Sequence, residues 1–295
     1  MRPGLRLALF SAAAGVLLVL ASLVGAAVRS DRGRSGGGSA PAPPQPSNPS
    51  THAHDLEPAT AGTTPSPAGL SVDAEGYQLL PETTRLAVGR RAAYRFSILD
   101  AGGSPVHAFV VEQTKMLHLI VVRRDFAGFQ HLHPELAADG SWSTPLTLPE
   151  AGTYRVFADF RPRSLDHSLT LGTDLFAGPG AFRPRPLPEP DQVTTTADGH
   201  AVSLRRDGDS LTFVISKGDE PVRDLQPYLG AYGHLVALRA GDLAYSHVHP
   251  VDGRGRGPEI SFRASFPGPG FYRLFLQFQR AGTLHLATMT IEVPE

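Results

Sequence analysis

One sequence pattern occurs twice in this chain, and this duplication limits the folds open to it. The first copy reads HLIVVRRDFAGFQHLHP from 118 to 134, and the second reads HLVALRAGDLAYSHVHP from 234 to 250. Each copy continues to a Tyr-Arg-x-Phe sequence, and a further histidine stands 13 residues after that tyrosine. A match of this extent predicts two copies of one folding unit.

Eight of the twelve histidines belong to this duplicated scheme, four in each copy. They are His118, His131, His133 and His167 in the first copy and His234, His247, His249 and His285 in the second. Two others, His107 and His200, have no counterpart in the other copy. We interpret these two as ordinary surface or loop residues.

The folded part of the chain is predicted to be all-β. Short apolar runs alternate with Gly, Pro and Asp turn signals, and no stretch has sustained 3.6-residue periodicity. About 100 residues per copy suit a seven-stranded sandwich. We therefore predict two tandem immunoglobulin-like β-sandwich domains, repeat one at 70–182 and repeat two at 191–295, joined by a stiff proline-rich connector at 183–190.

The N-terminal region predicts export. Arg2 and Arg6 precede an uncharged run over 7–28, which is long enough to span a bilayer as a helix. This favours a signal anchor over a cleaved signal, although small residues at 25–27 offer a cleavage site. Residues 29–69 are rich in Pro, Gly and Ser and predict a disordered linker. The expected location is the cell membrane, single-pass with the domains outside the cytoplasm, or secretion if the signal is cleaved.

Charge and cysteine content exclude several classes of function. The chain has 27 Lys+Arg against 28 Asp+Glu, so no basic surface indicates nucleic acid. It has no cysteine, which excludes disulfides, thiolate metal sites and a catalytic cysteine. Any metal must therefore be bound mainly through nitrogen and oxygen.

Hairpin arithmetic brings three histidines of each copy together. A turn at Gly241-Asp242 sets His234 opposite His249, and a turn at Asp125-Phe126 sets His118 opposite His133. Opposed residues, and residues two apart on a strand, share one face of the sheet.

The shared face also carries apolar residues, which predicts that it faces the sandwich core. These residues are Ile120, Val122, Val236 and Leu238. By the same alternation, His167 and His285 are expected on apolar strand faces, where each supplies a fourth nitrogen or a supporting hydrogen bond.

Three to four imidazoles converging in each copy predict a duplicated metal site. All-nitrogen coordination favours copper first and zinc second. The alternative is a structural network in which the histidines and Tyr154 or Tyr272 satisfy one another's hydrogen bonds.

The strings KMLHLIVVRRDFAGFQHLHP, GTYRVFADF and AYGHLVALRAGDLAYSHVHP resemble a group of exported actinobacterial proteins of uncharacterised function. More loosely, their architecture and histidine use resemble the YtkA-like and CopC-like β-sandwich proteins of extracytoplasmic copper handling. That second resemblance implies copper binding or transfer. The chain departs from the CopC pattern because its histidines lie on an internal hairpin.

The predicted function is extracytoplasmic metal binding in buffering, resistance or delivery. The ligand would be a divalent ion, and a membrane metal transporter or a metallochaperone would donate or receive it. The alternative is a cell-surface immunoglobulin-like interaction module with structural histidines. A metalloenzyme with three histidines and an open position is a third hypothesis. We do not predict an enzyme, because no acid/base residue is duplicated beside the histidines, and Gln277 replaces Asp159.

Overall fold

The computed structural model describes residues 67–179, 182–251 and 255–295. Every regular element in this part of the chain is a β-strand, which confirms the all-β prediction. The predicted anchor at 1–28 lies outside the described residues, as does nearly all of the predicted linker. Among the residues described, none forms a helix long and apolar enough to cross a bilayer.

Repeat one is a two-sheet sandwich. One sheet has the order β1-β2-β4-β9-β8, and the other has β3-β11-β10-β6-β7 with β5 on β10. This is the immunoglobulin arrangement, in which two antiparallel sheets enclose the core. The strands of repeat one are β1 (Asp73–Ala74), β2 (Tyr77–Pro81), β3 (Arg85–Leu86), β4 (Arg91–Leu99), β5 (Phe109–Val110), β6 (Leu117–Arg123), β7 (Gln130–Leu132), β8 (Glu135–Leu136), β9 (Ser141–Thr147), β10 (Gly152–Pro162) and β11 (Leu169–Ala177).

Repeat two has the same layers, joined by one strand that pairs with both of them. Its main path is β12-β13-β14-β19-β18-β17-β20-β16, with β15 on β14 and β21 on β20. Strand β18 pairs with both β17 and β19, so it links the two layers. The strands are β12 (Val193–Thr195), β13 (His200–Asp207), β14 (Ser210–Lys217), β15 (Glu220–Pro221), β16 (Leu225–Gln226), β17 (His234–Arg239), β18 (Tyr245–Pro250), β19 (Glu259–Ser265), β20 (Gly270–Arg280) and β21 (Thr283–Val293).

The duplicated tyrosines fix the turn that precedes β10 and β20. Tyr154 and Tyr272 are fully buried, and each hydroxyl donates to a backbone carbonyl four residues upstream, that of Glu150 or Gly268. This is the tyrosine corner of immunoglobulin-like domains. These tyrosines therefore do not serve the histidines, and that part of the structural-network alternative is wrong.

Both hairpins have the predicted register. Leu119 pairs with Leu132, and Ile120 pairs with His131. Extending this register by one residue places His118 opposite His133. Ala237 pairs with Ser246. Extending this register by three residues places His234 opposite His249.

The turns are longer than predicted. The chain reverses through a positive φ at Phe126 in repeat one, and at Gly241 and Leu243 in repeat two. The offset between opposed residues is nevertheless unchanged, because the extra residues fall within the loops.

The predicted orientation of the shared face is wrong. Leu119 and Val121 on the opposite face of β6 belong to the core of repeat one, whereas Ile120 and Val122 do not. The face with the histidines instead packs against the other repeat. This inter-repeat core consists of Ile120, Val122, Phe157, Val236, Leu238, Leu243, Tyr245 and Phe275.

The inter-repeat core explains why β6 is buried along its whole length. Phe129 of repeat one stacks on Phe275 of repeat two, with ring centroids 4.1 Å apart and planes within 7°. Equivalent residues of the two copies, such as Phe157 and Phe275, both contribute. The two histidine-bearing hairpins therefore meet at one interface.

Candidate metal centre between the repeats

Four histidines from both repeats form one group, here called the histidine cluster: His118, His131, His133 and His234. His118 lies on β6, and His131 and His133 lie on and just after β7. His234 is the first residue of β17. One nitrogen from each of the three repeat-one histidines lies within 4.8 Å of the others.

The rings of the histidine cluster are closely packed. His131 stacks on His234 with centroids 4.2 Å apart, and His133 approaches His131 at 4.7 Å. His118 and His234 are only 7% and 8% exposed. The histidine cluster thus combines the three repeat-one histidines with His234, the first histidine of the repeat-two hairpin.

Hydrogen bonds satisfy only some of the ring nitrogens of the histidine cluster. The Nε2 atom of His118 lies 3.1 Å from the carbonyl oxygen of Glu112, and its Nδ1 atom lies 3.0 Å from Nε2 of His131. The Nδ1 atom of His131 lies 2.8 Å from Oε1 of Gln277 on β20. Both oxygens are acceptors, so each histidine must donate outward. If both rings are neutral, two lone pairs then face each other between them.

Two further ring nitrogens lack a hydrogen-bond partner within the described part of the chain. These are Nε2 of His133 and Nδ1 of His234, both buried. An unsatisfied buried polar atom costs about 1–3 kcal/mol. The cluster therefore contains converging imidazole nitrogens for which the described residues offer no complete set of partners.

Burial and neighbouring imidazoles favour the uncharged form of His131, His133 and His234. Burial lowers the pKa of His131 well below its usual value, and the neighbouring His234, His118 and His133 lower it further. The same causes bring the pKa of His133 to about 4 and that of His234 to about 3. Neutral imidazole is the form that binds metal ions.

A cavity of about 280 Å³ opens beside the cluster. Asp159 is half-buried on its wall, and loss of solvation raises the pKa of this carboxyl to about 6. The hydroxyl of Tyr245 from repeat two approaches Asp159 at 3.4 Å. The cavity lining also includes Glu112, Lys115, Met116, His118, His234 and His249.

The other predicted ligands lie elsewhere or outside the described side chains. His167 is half exposed, pairs with Glu75 and Asp166 at 2.9–3.1 Å, and does not join the group formed by His118, His131 and His133. His249 lines the cavity. His247 lies on β18, and its side chain is outside the described part.

His285 joins a different group, here called the Asp198 corner: Asp198, His200 and His285. The prediction for His200 was wrong, because this residue is 3% exposed. A signal for its burial exists in the sequence, since His200 alternates in phase with Val202 and Leu204, which both face the core of repeat two. His107 is exposed, as predicted.

A family model described as a domain of unknown function, DUF8832, matches residues 71–173 and again residues 189–295. The chain belongs to this family. The two matches confirm the duplication inferred from the histidine pattern. No curated protein matches the chain.

Several solved structures resemble the DUF8832 chain at low identity. Domains 5–6 of the S-layer protein SbsC match at 10% identity over 74% of this chain and 97% of that chain, with a TM-score of 0.22. The Escherichia coli adhesin FdeC matches at 17% identity over 76% and 65%, with a TM-score of 0.25. Salmonella alpha-2-macroglobulin matches at 14% identity over 77% and 15%, with a TM-score of 0.27.

These likenesses are too distant to bear on function. Neither the family nor these structures support the resemblance to YtkA-like and CopC-like copper proteins.

Proposed function

We propose that this DUF8832 protein binds one divalent metal ion between its repeats, with copper as the first candidate and zinc as the second. His118, His131 and His133 would supply one ring nitrogen each, and His234 would supply a fourth from repeat two. The proposal is carried by one observation: buried and half-buried imidazoles converge, and Nε2 of His133 and Nδ1 of His234 have no hydrogen-bond partner among the described residues.

The spacing of the nitrogens supports metal coordination. Metal–nitrogen bonds of about 2.0–2.1 Å place tetrahedral ligands about 3.3 Å apart. The 3.0 Å separation between His118 and His131 is close to this value. A cation would also remove the lone-pair repulsion between these two rings, which a neutral pair cannot do by hydrogen bonding alone.

Location and role follow from the sequence. The uncharged run over 7–28 supports a place at the cell membrane with the repeats outside the cytoplasm. There the protein would take part in metal buffering, resistance or delivery, and exchange its ion with a membrane transporter or a metallochaperone. His118 and His234 border the cavity, which gives the ion an approach for such exchange.

Copper titration of the full chain tests the proposal. The His131→Ala, His133→Ala double variant should bind one Cu(II) fewer than the wild type. His234→Ala should weaken the same ion by about 10–100-fold or more, because a repeat-two residue belongs to the same site. His107→Ala, at an exposed histidine, is the matched control and should change nothing. Equal uptake by the wild type and the double variant would refute the proposal.

A second function is favoured by a different observation. Asp159 lies opposite His118 in the β6–β10 ladder, and His118 lies 3.0 Å from His131, so contacts within the protein offer these rings a structural role. In that case the histidines are structural and the protein is a cell-surface interaction module. Substituting His131 would then lower stability in metal-free buffer and leave copper uptake unchanged.

A further inference from the structure

We infer that the Asp198 corner is a second divalent-cation site, of the zinc type, built from two imidazoles and one carboxylate. It lies within repeat two and shares no residue with the histidine cluster. The inference therefore stands apart from the proposed function.

The local fold holds the three ligands together. Asp198 lies in the turn between β12 and β13, where its Oδ1 atom accepts a hydrogen bond of 2.6 Å from the Thr196 hydroxyl. The backbone N–H of His200, the first residue of β13, donates to the same hydroxyl at 2.9 Å. The Oδ2 atom of Asp198 is thereby directed at both imidazoles.

Both histidines present the same atom to that oxygen. Nδ1 of His285 lies 2.8 Å from Oδ2 of Asp198, and Nδ1 of His200 lies 3.2 Å from it. The two rings are 4.4 Å apart between centroids and are packed against Phe278. Two histidines and a carboxylate at such distances match the ligand types and spacing of zinc and related divalent ions.

The ion pair between Asp198 and His285 does not satisfy every ring nitrogen of the Asp198 corner. His285 forms a close contact with Asp198, whereas the buried Nδ1 of His200, at 3.2 Å from the same oxygen, is an ion-pair contact without hydrogen-bond geometry. The Nε2 atom of His285 on the far side of its ring is likewise buried and unpaired. Coordination of both Nδ1 atoms and the carboxylate by one cation would satisfy the atoms that converge.

The surrounding charges are balanced. Lys217 donates to the backbone carbonyl of Asp198, and Arg280 is paired with Asp224 at 2.8 Å. Arg280 also lies 3.3 Å from Nε2 of His200. Metal binding at Nδ1 would leave the ring proton on Nε2, and Arg280 would then keep only its ion pair with Asp224.

Repeat one supplies an internal control. In the ladders Leu79 pairs with Ile98 and Val202 pairs with Ile215, so Tyr77 occupies in repeat one the place of His200. Glu75 and His167 stand where Asp198 and His285 stand. Among the described residues, the repeat-one corner thus has a single imidazole, and that imidazole is half exposed.

Zinc titration of the full chain tests the inference, with Co(II) as a spectroscopic probe. The background is the His131→Ala, His133→Ala variant, which removes the histidine cluster. This background should still bind one Zn(II). Adding His200→Tyr, the residue that repeat one uses, should weaken binding by more than about 100-fold, beyond the effect of an outer partner. His167→Ala, the matched control in repeat one, should leave binding unchanged.

A second variant separates loss of a ligand from loss of folding. Asp198→Asn changes a half-exposed side chain and should also abolish the visible Co(II) absorption while circular dichroism stays native. The inference is overturned if the background binds no Zn(II), or if His200→Tyr and Asp198→Asn bind it as the background does. The proposed function is tested separately, by the copper uptake of the wild type against the background.

Discussion

The two repeats share their strands but differ at the positions where chemistry is concentrated. At the interface, Asp159 of repeat one corresponds to Gln277 of repeat two, and each lies beside the first histidine of its own hairpin. At the far corner, Tyr77 corresponds to His200. The duplication therefore preserves a scaffold, and single substitutions make one copy differ from the other. Equivalent histidines do not have equivalent roles, because their surroundings are no longer equivalent.

The interface itself should give the largest effect. Phe275 is 1% exposed and stacks on Phe129 across the repeats. Phe275→Ala removes this buried ring, so we expect a loss of about 3–5 kcal/mol in the free energy of unfolding. Denaturant unfolding measures it. Phe271→Ala, an exposed phenylalanine on the same strand, is the control and should cost much less. Similar losses for both variants would show that the inter-repeat packing is weak.

The acid sensitivity of the metal-free protein should come next. The pKa of His133 falls to about 4 and that of His234 to about 3 on folding, both through burial. The contribution of these two histidines to the free energy of unfolding is complete above their unfolded pKa of 6.5. It is lost as pH falls through the folded pKa values. A tenfold difference in proton affinity corresponds to about 1.4 kcal/mol. Because His133 is partly exposed, its contribution to the free energy of unfolding is smaller than its pKa shift alone would give. Thermal melts between pH 7 and pH 4 should therefore show falling stability.

The titration of Asp159 has the opposite effect on the stability of the protein over part of this pH range. Its pKa is raised from 3.8 to about 6, so its contribution is present at low pH and is lost as pH rises through 6. Asp159→Asn removes this opposing contribution, and its melts should depend more steeply on pH between 4 and 6 than those of the wild type. An unchanged slope would mean that Asp159 does not titrate there.

Local spacing in the sequence was enough to predict the hairpins. A strand pair has a fixed alternation, so the offset between His118 and His133 determines which residues oppose each other, even though the turns were longer than expected. The same alternation indicated correctly that His285 shares a face with core residues such as Met289. These are short-range features, and a single sequence contains them.

The sequence alone did not indicate which face of the hairpin packs in the sandwich core and which packs against the other repeat. Strand β6 is apolar on both faces, and such a run is typical of a strand buried on both sides. We assigned the face of Ile120 to the sandwich core, whereas the packing of the two repeats buries it. His167 and His285 lie away from the histidine cluster for a related reason: His167 precedes the first residue of β11, and His285 faces the Asp198 corner. Both outcomes depend on long-range packing.

The smallest predicted effect compares the two corner histidines. His167 is half exposed, and its contact with Glu75 is a surface ion pair. Removing it by His167→Ala should change the free energy of unfolding by at most about 0.5 kcal/mol, since exposed pairs contribute little. His285→Ala removes a buried ring at the equivalent position and should cost about 1–3 kcal/mol. Denaturant titration of both variants in metal-free buffer measures the difference. A cost for His167→Ala as large as that for His285→Ala would mean that the two corners are structurally equivalent after all, and that the second imidazole at His200 adds nothing to repeat two.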